Sequence, residues 1–220
     1  GIAMGICVSV NQNHPASAIV TQAVEVARAG GVLIVPTDSV YGIGAAAFSN
    51  NPGHERIFTI KHRDRTQTLP WLVGKKSDFD RYAKDAPAWA YRLVKAYWPG
   101  ALTLVVKAAD TVPDEYVLPQ NHTIALRMPA SKLVCEIING LGVPLATTSA
   151  NIHGNPSAVS EKDVEQELVD CSDLILDGGP APLAVASTIV DCTSKTPCIL
   201  REGAIPTEAL LATAGFEARE

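Results

Sequence analysis

Aromatic residues are scarce in this chain. Tryptophan, tyrosine and phenylalanine make up 5% of its 220 residues, too few for a recognition surface built mainly on base stacking. Basic charge is also short: 18 Lys and Arg stand against 23 Asp and Glu, a formal net charge of −5. That balance argues against a general nucleic-acid binder and leaves room only for a local basic cleft. Cysteine appears as five scattered residues, Cys7, Cys135, Cys171, Cys192 and Cys198. They form no CxxC pair and no Cys/His grouping with zinc spacing, so buried, reduced thiols in a cytosolic protein are expected. No run approaches membrane-spanning length, and the N-terminus lacks the charged and apolar segments of a signal peptide. A cytoplasmic location without membrane attachment is the expectation, and Gly1 ahead of Met4 reads as an expression remnant. Familiar active-site signatures are missing too: there is no Walker A loop, no Rossmann GxGxxG and no GxSxG elbow. Asp38, Asp177 and Asp191 form no compact acidic motif, so no metal-binding side chains are assigned.

What is present is largely apolar. The chain is 47% hydrophobic and 19% charged, enough for a substantial core and unlike a disordered sequence. With no internal repeat, linker or charge block, one domain is expected. Helical spacing runs over residues 18–28 and is stopped by Gly30-Gly31. Further helices are expected at 54–60, 77–83, 87–97, 131–139, 160–168 and from Thr207. Ser77/Asp80 and Ser160/Asp163 have the spacing of capping boxes. Apolar strands are expected at 32–35, within 40–48, and at 69–73, 102–106, 123–127, 144–148, 173–176, 187–190 and 198–200. Irregular alternation of the two types predicts an α/β fold (α+β in some schemes), with helices packed against one twisted mixed sheet.

Against the acidic background, Lys61-His62-Arg63-Asp64-Arg65 is a dense basic cluster. It reads either as a solvated loop after a helix or as one wall of an anion site. Polar groups also fall at strand ends: Thr37, Arg127, Thr147 to Asn151, Ser187 and Arg201. Rigid strands hold such residues in register, and ligands of layered α/β proteins collect there. Arginine and hydroxyl groups suit carboxylate and phosphate oxygens. For Arg127 and Arg201, a structural ion pair or a surface role stays open at this point. Gly42-Ile43-Gly44 is only a fragment of a phosphate loop.

Six segments then occur in a meaningful order. They are Pro36-Thr37-Asp38-Ser39-Val40-Tyr41-Gly42-Ile43-Gly44, Lys61-His62-Arg63, Ala125-Leu126-Arg127-Met128-Pro129, Thr147-Thr148-Ser149-Ala150-Asn151, Ser187-Thr188-Ile189-Val190-Asp191 and Leu200-Arg201-Glu202-Gly203. Together they resemble the YrdC/Sua5 family of threonylcarbamoyl-AMP synthases and span most of the chain. The resemblance implies a three-layer YrdC-like domain, taken as residues 14–206, whose twisted mixed sheet encloses a basic cleft. Residues 207–220 are then a C-terminal extension, as in the short form without the additional Sua5 domain.

The same resemblance implies an activity. Members join L-threonine, bicarbonate and ATP into L-threonylcarbamoyl-AMP and release pyrophosphate. A separate threonylcarbamoyl-transferase machinery then makes t6A at adenosine 37 of tRNA, and a tRNA contact by the synthase itself is a further implied partner. Thr37, Arg127, Thr147 and Ser187 match positions around threonine. Arg63, Gln67, Thr123, Ser149, Asn151, Ser157 and Arg201 match positions around the nucleotide, and Lys61 and Arg63 match the catalytic KxR element. Mg2+ is expected to accompany ATP, held mostly by phosphate oxygens. Asp64 and Thr68 stand where many members carry proline, with Arg65 a compensating charge. His153 replaces a common serine, and Leu72 takes the place of a histidine that contacts threonine in some archaeal members. Two other readings have the same cleft: a transferase handling carbamoyl-adenylate, and a non-enzymatic RNA-binding relative using the cleft as a backbone clamp.

Overall fold

The computed structural model describes residues 5–64, 66–152 and 154–216. Expectations placed on Gly1, Met4, Arg65, His153 and residues 217–220 lie outside the described residues. Ten strands lie in chain order as β1 (Ile6–Ser9), β2 (Leu33–Val35), β3 (Gly42–Ala46), β4 (Trp71–Leu72), β5 (Leu102–Lys107), β6 (Thr123–Arg127), β7 (Leu145–Ser149), β8 (Leu174–Asp177), β9 (Thr188–Asp191) and β10 (Cys198–Arg201). They form one mixed sheet in the order β1-β8-β2-β3-β7-β4-β6-β5-β9-β10. The helices are α1 (Ser17–Arg28), α2 (Pro52–Lys61), α3 (Asp78–Tyr82), α4 (Ala88–Tyr97), α5 (Lys132–Leu141), α6 (Gln166–Asp170) and α7 (Thr207–Ala214).

Successive side chains on a strand point to opposite faces, so an all-apolar strand needs cover on both. Leu33, Val35, Leu72, Leu145, Leu174 and Leu176 pack with α1 and α5 residues such as Ala27 and Ile137. Their neighbours Ile34, Trp71, Ala146 and Ile175 pack on the other face with Ile57 of α2, Leu93 of α4 and Leu168 of α6. These are the three expected layers. Across β6, β5 and β9, however, the α1/α5 face carries Thr103, Ala125, Arg127 and Ile189, which belong to neither core cluster. The third layer therefore covers only half of the sheet, and the uncovered half is the floor of a cleft.

Elements on both sides of residues 14–206 pack against the rest. β1 pairs in parallel with β8 from Ile6↔Leu174 to Ser9↔Asp177. Leu210 and Ala214 of α7, in the C-terminal extension, are buried in the core. The expected helix over 160–168 is two short pieces: Glu161–Asp163 is a 3-10 turn, and α6 starts only at Gln166. Glu165 between them is extended and accepts from the Ile152 N–H at 2.8 Å. Neither capping box forms. Ser77 is already in helical conformation with no side-chain cap bond, and Ser160 Oγ donates to the Asp163 carboxylate instead of capping a backbone N–H. The thiols are also more open than expected: all five are free, Cys192 is buried, Cys135 half-buried, and Cys7, Cys171 and Cys198 exposed.

Candidate active site

The site assembles where α2 ends. Asn51 caps the start of that helix by accepting from Gly53 N–H at 2.9 Å, with Pro52 in the first turn. At its end His62 takes a left-handed conformation, φ 55°, an uncommon state for a residue other than glycine. This reversal points His62 outward to Glu167, 3.2 Å away, while Lys61 and Arg63 both reach the end of β7. Lys61 is buried; its Nζ donates to Ser149 O at 2.7 Å, to Asn151 O, and loosely to Asn151 Oδ1 at 3.4 Å. Burial, with Arg63 nearby, lowers the lysine from its ordinary 10.5 to about 8, partly offset by Glu165. Arg63 donates to Thr148 Oγ1 at 3.1 Å and to Thr68 O at 3.0 Å. Arg63 uses the carbonyl of residue 68, a group that threonine and proline both carry. Asp64 closes the following turn by accepting from Thr66 N–H at 2.9 Å.

Two cavities meet across Arg63, Thr148 and Ser149. One, of about 350 Å³, is lined by Lys61, Gln67 and Asn151. The other, of about 330 Å³, lies over the uncovered sheet and is lined by Thr37, Ser39, Thr103, Arg127, Thr147, Ser157, Ser187 and Arg201 among others. Among the described residues, three guanidiniums and no carboxylate line this second cavity. Burial lowers the pKa of all three, yet arginine stays protonated in proteins. The cavity is therefore cationic and suits anions.

Each wall has a local cause. Gly42 and Gly44 of β3 face Thr147, and a Cβ at either would come within 2.6 Å of its side chain. The Gly-Ile-Gly fragment is thus a strand that makes room for a hydroxyl, not a phosphate loop. Arg201 reaches the cleft because β10 is bulged. Ile199 pairs with Val190 but Arg201 with Ile189, leaving Leu200 as the extra, 55% exposed residue. Without that irregularity Arg201 would face the opposite side of the sheet. Its guanidinium then grips Ser187 O at 2.8 Å and 3.1 Å. Asn151 is braced by its amide donating to Asn155 O at 2.7 Å, and Ser149 Oγ donates to its Oδ1.

Arg127 is anchored to protein through each of its three nitrogens, and further N–H groups on Nη1 and Nη2 are left over. It forms a buried ion pair with Asp38, and donates from Nη1 to Ser39 Oγ at 2.7 Å and from Nε to Gly100 O at 3.0 Å. Asp38, weighed in sequence as a metal ligand, is this arginine's counter-ion. No group of His, Cys, Asp and Glu among the described residues has the geometry to hold a metal.

Thr37 is buried, and its hydroxyl donates to Val40 O at 2.6 Å while accepting from Ser39 N–H at 3.1 Å. Its single hydrogen is therefore in use, so in the 3.1 Å contact between the two hydroxyls Ser39 Oγ donates to Thr37 Oγ1, and the hydrogens of both hydroxyls are held by protein. Thr123 is on the same sheet face as Arg127 but at the other end of β6. Its hydroxyl donates to Asn121 Oδ1 at 2.7 Å, and it lines neither cavity. Leu72 lines the cavity beside Arg127, its register partner across β4 and β6. Ser39 and Thr103 line the site without having been singled out from sequence, and Thr148 was noted only within the strand-end run Thr147 to Asn151. Tyr41 is missed as well; its hydroxyl donates to Gly179 O at 2.7 Å and accepts from Gly178 N–H at 3.0 Å.

Comparison with known proteins agrees with this geometry. A family model described as telomere recombination, for Sua5, YciO and YrdC, matches residues 25–203. The chain is 36% identical over 200 residues to a candidate threonylcarbamoyl-AMP synthase of Mycobacterium tuberculosis, covering 90% of each. It is 34% identical to the threonylcarbamoyl-AMP synthase of Bacillus subtilis over 89% of this chain and 56% of that one. The crystal structure of Pyrococcus abyssi Sua5 complexed with L-threonine superposes with a TM-score of 0.88 at 33% identity, over 96% of this chain and 61% of that chain. The chain thus spans somewhat more than half the length of the last two. A match over most of the chain and a shared fold place this protein in the Sua5/YciO/YrdC family.

Proposed function

We propose that this protein is an L-threonylcarbamoyladenylate synthase, joining L-threonine, bicarbonate and ATP into L-threonylcarbamoyl-AMP with release of pyrophosphate, for t6A at position 37 of tRNA. The observation that carries the reading is the pair of adjoining cavities sharing Arg63, Thr148 and Ser149, one cationic and free of lining carboxylates, the other walled by Lys61. Three small anionic reactants repel one another, and such a cleft offsets that repulsion while holding them in contact.

The threonine amine adds to the carbon of bicarbonate-derived CO2 and loses a proton, giving a carbamate. A carbamate oxygen then attacks the α-phosphorus of ATP, and the bond to the bridging α,β-oxygen breaks as pyrophosphate leaves. Lys61, Arg63 and Arg201 stabilise the charge that builds up on the phosphates, and Arg127 holds the threonine carboxylate. Mg2+ bound together with ATP would neutralise charge on the triphosphate, and no acidic cluster of this chain is assigned to hold it. The adenylate passes to a separate transferase machinery; direct contact with tRNA and a cytoplasmic location complete the reading. Among the described residues no helix is long and apolar enough to cross a membrane.

The test is a substrate panel with product mass measured directly. Threonine, bicarbonate, Mg2+ and ATP are expected to release pyrophosphate above a no-threonine control and to give threonylcarbamoyl-AMP. Release with carbamoyl phosphate but not threonine would move the protein to carbamoyl-adenylate chemistry. Salt-sensitive RNA binding without ATP affinity would make the cleft a backbone clamp.

The lowered Lys61 adds a pH signature. Its ammonium is present below about 8 and lost above that value. The kcat/KM for ATP, which reports the free enzyme, is therefore expected to fall on the alkaline side with an apparent pKa near 8. Lys61→Arg, which stays charged, removes that limb whatever its absolute rate. A wild-type kcat/KM that keeps rising past this region would show that the lysine charge is not needed.

A further inference from the structure

Thr103 sits in the middle of β5, in the otherwise apolar run Leu-Thr-Leu-Val-Val. It is 5% exposed and faces the cleft floor. Its hydroxyl lies 2.8 Å from Ser187 Oγ, and this is the sole hydrogen bond given for its side chain among the described residues. Ser187 Oγ also accepts from Arg201 Nη2 at 3.2 Å. The same arginine holds the Ser187 carbonyl through Nε and Nη2.

A hydroxyl has one hydrogen and two acceptor sites, whereas arginine only donates. Arg201 therefore occupies one acceptor site of Ser187, and two arrangements remain. If Ser187 donates to Thr103, it offers the cavity no hydrogen. If Thr103 donates to Ser187, both acceptor sites are filled and the Ser187 hydrogen must point elsewhere, into the cavity. A cavity lined by three guanidiniums and no carboxylate receives anions, and an anion needs a donor. Anion binding thus selects the second arrangement.

We propose that Thr103 is a positioning residue: it turns the Ser187 hydroxyl toward the substrate anion and, through Ser187, couples that anion to whatever engages Arg201. The inference rests on the synthase reading, in which Ser187 faces threonine and Arg201 faces the nucleotide. Phosphate held by Arg201 keeps the guanidinium in place, which keeps one acceptor site of Ser187 filled. Thr103 fills the other. Removing Thr103 lets the hydroxyl rotate, and threonine then loses both the oriented donor and its dependence on nucleotide. Such coupling is reciprocal in binding.

Thr103→Val preserves shape and β-branching and deletes only the hydroxyl. It is expected to raise the threonine KM about three- to ten-fold, the range of one hydrogen bond, with the ATP KM and kcat near wild type. Wild-type protein is expected to bind threonine more tightly with a non-hydrolysable ATP analogue present, by calorimetry, and Thr103→Val to lose that gain. Thr103→Ser is expected to restore both. The proposal is overturned by an unchanged threonine KM in Thr103→Val, by a loss that Thr103→Ser does not rescue, or by equal losses toward ATP and threonine. Thermal melting of both variants checks the fold. Failure of wild type to make threonylcarbamoyl-AMP is a separate result, which would remove the synthase reading itself.

Discussion

Lys61→Ala is expected to cut product formation by about 10²- to 10³-fold, the effect of removing one preorganised donor from a site of developing charge, while the protein still melts cooperatively near the wild-type temperature. The rate loss follows from position. Lys61 walls the cavity it shares with Gln67 and Asn151, and its loosest donor contact, 3.4 Å to Asn151 Oδ1, leaves one N–H to turn to a phosphate oxygen. The expectation for stability comes from two opposing effects. Truncation frees the carbonyls of Ser149 and Asn151, but they border a cavity that water can enter. It also removes a buried cation beside Arg63. Because burial lowers the lysine below its ordinary 10.5, the folded state carries the full penalty at pH values under about 8 and is relieved as pH rises from there toward the ordinary value. The variant should therefore compare best with wild type near neutrality. Pyrophosphate release and thermal melting on the same preparation separate the two effects. Near-normal turnover would remove Lys61 from the chemistry.

That the lysine was visible from sequence, and its surroundings only partly so, follows from what sequence periodicity records. Strand and helix existence is local, and most expected elements are found, with 123–127 matching β6 to the residue. β1 escaped because an edge strand of four residues, with Ile6 58% exposed, lacks the alternation of a half-buried strand. The 160–168 helix failed because Glu165 is drawn to the Ile152 N–H, a tertiary contact that overrides local preference. At the site, charged residues stand out against apolar strands and hydroxyls do not. Thr103 reads as an ordinary strand former, and nothing local says that the Thr37 and Ser39 hydroxyls bond to each other. The bulge at Leu200 and the pairing of Asp38 with Arg127, 89 positions apart, are properties of the assembled sheet alone.

That last pairing carries the other large effect. Asp38 and Arg127 are each 6% exposed, and removing one partner of a buried ion pair typically costs about 3–5 kcal/mol because the survivor is left uncompensated. Asp38→Ala is expected to lose that much stability in urea denaturation. Ser39 and Gly100 still accept from the guanidinium, so its hydrogen bonds outlast its counter-charge. The double variant Asp38→Ala/Arg127→Met is expected to recover most of the loss, since the stranded charge goes too, while remaining inactive for want of a carboxylate grip. A coupling energy near zero in this cycle would show that the two residues act independently. The synthase reading sharpens the expectation further. In Asp38→Ala the missing negative charge can be supplied by the substrate carboxylate, so added threonine should raise the melting temperature of this variant more than that of wild type. An equal rise in both would mean that threonine does not meet Arg127, and would move the carboxylate grip to Arg201 or Arg63.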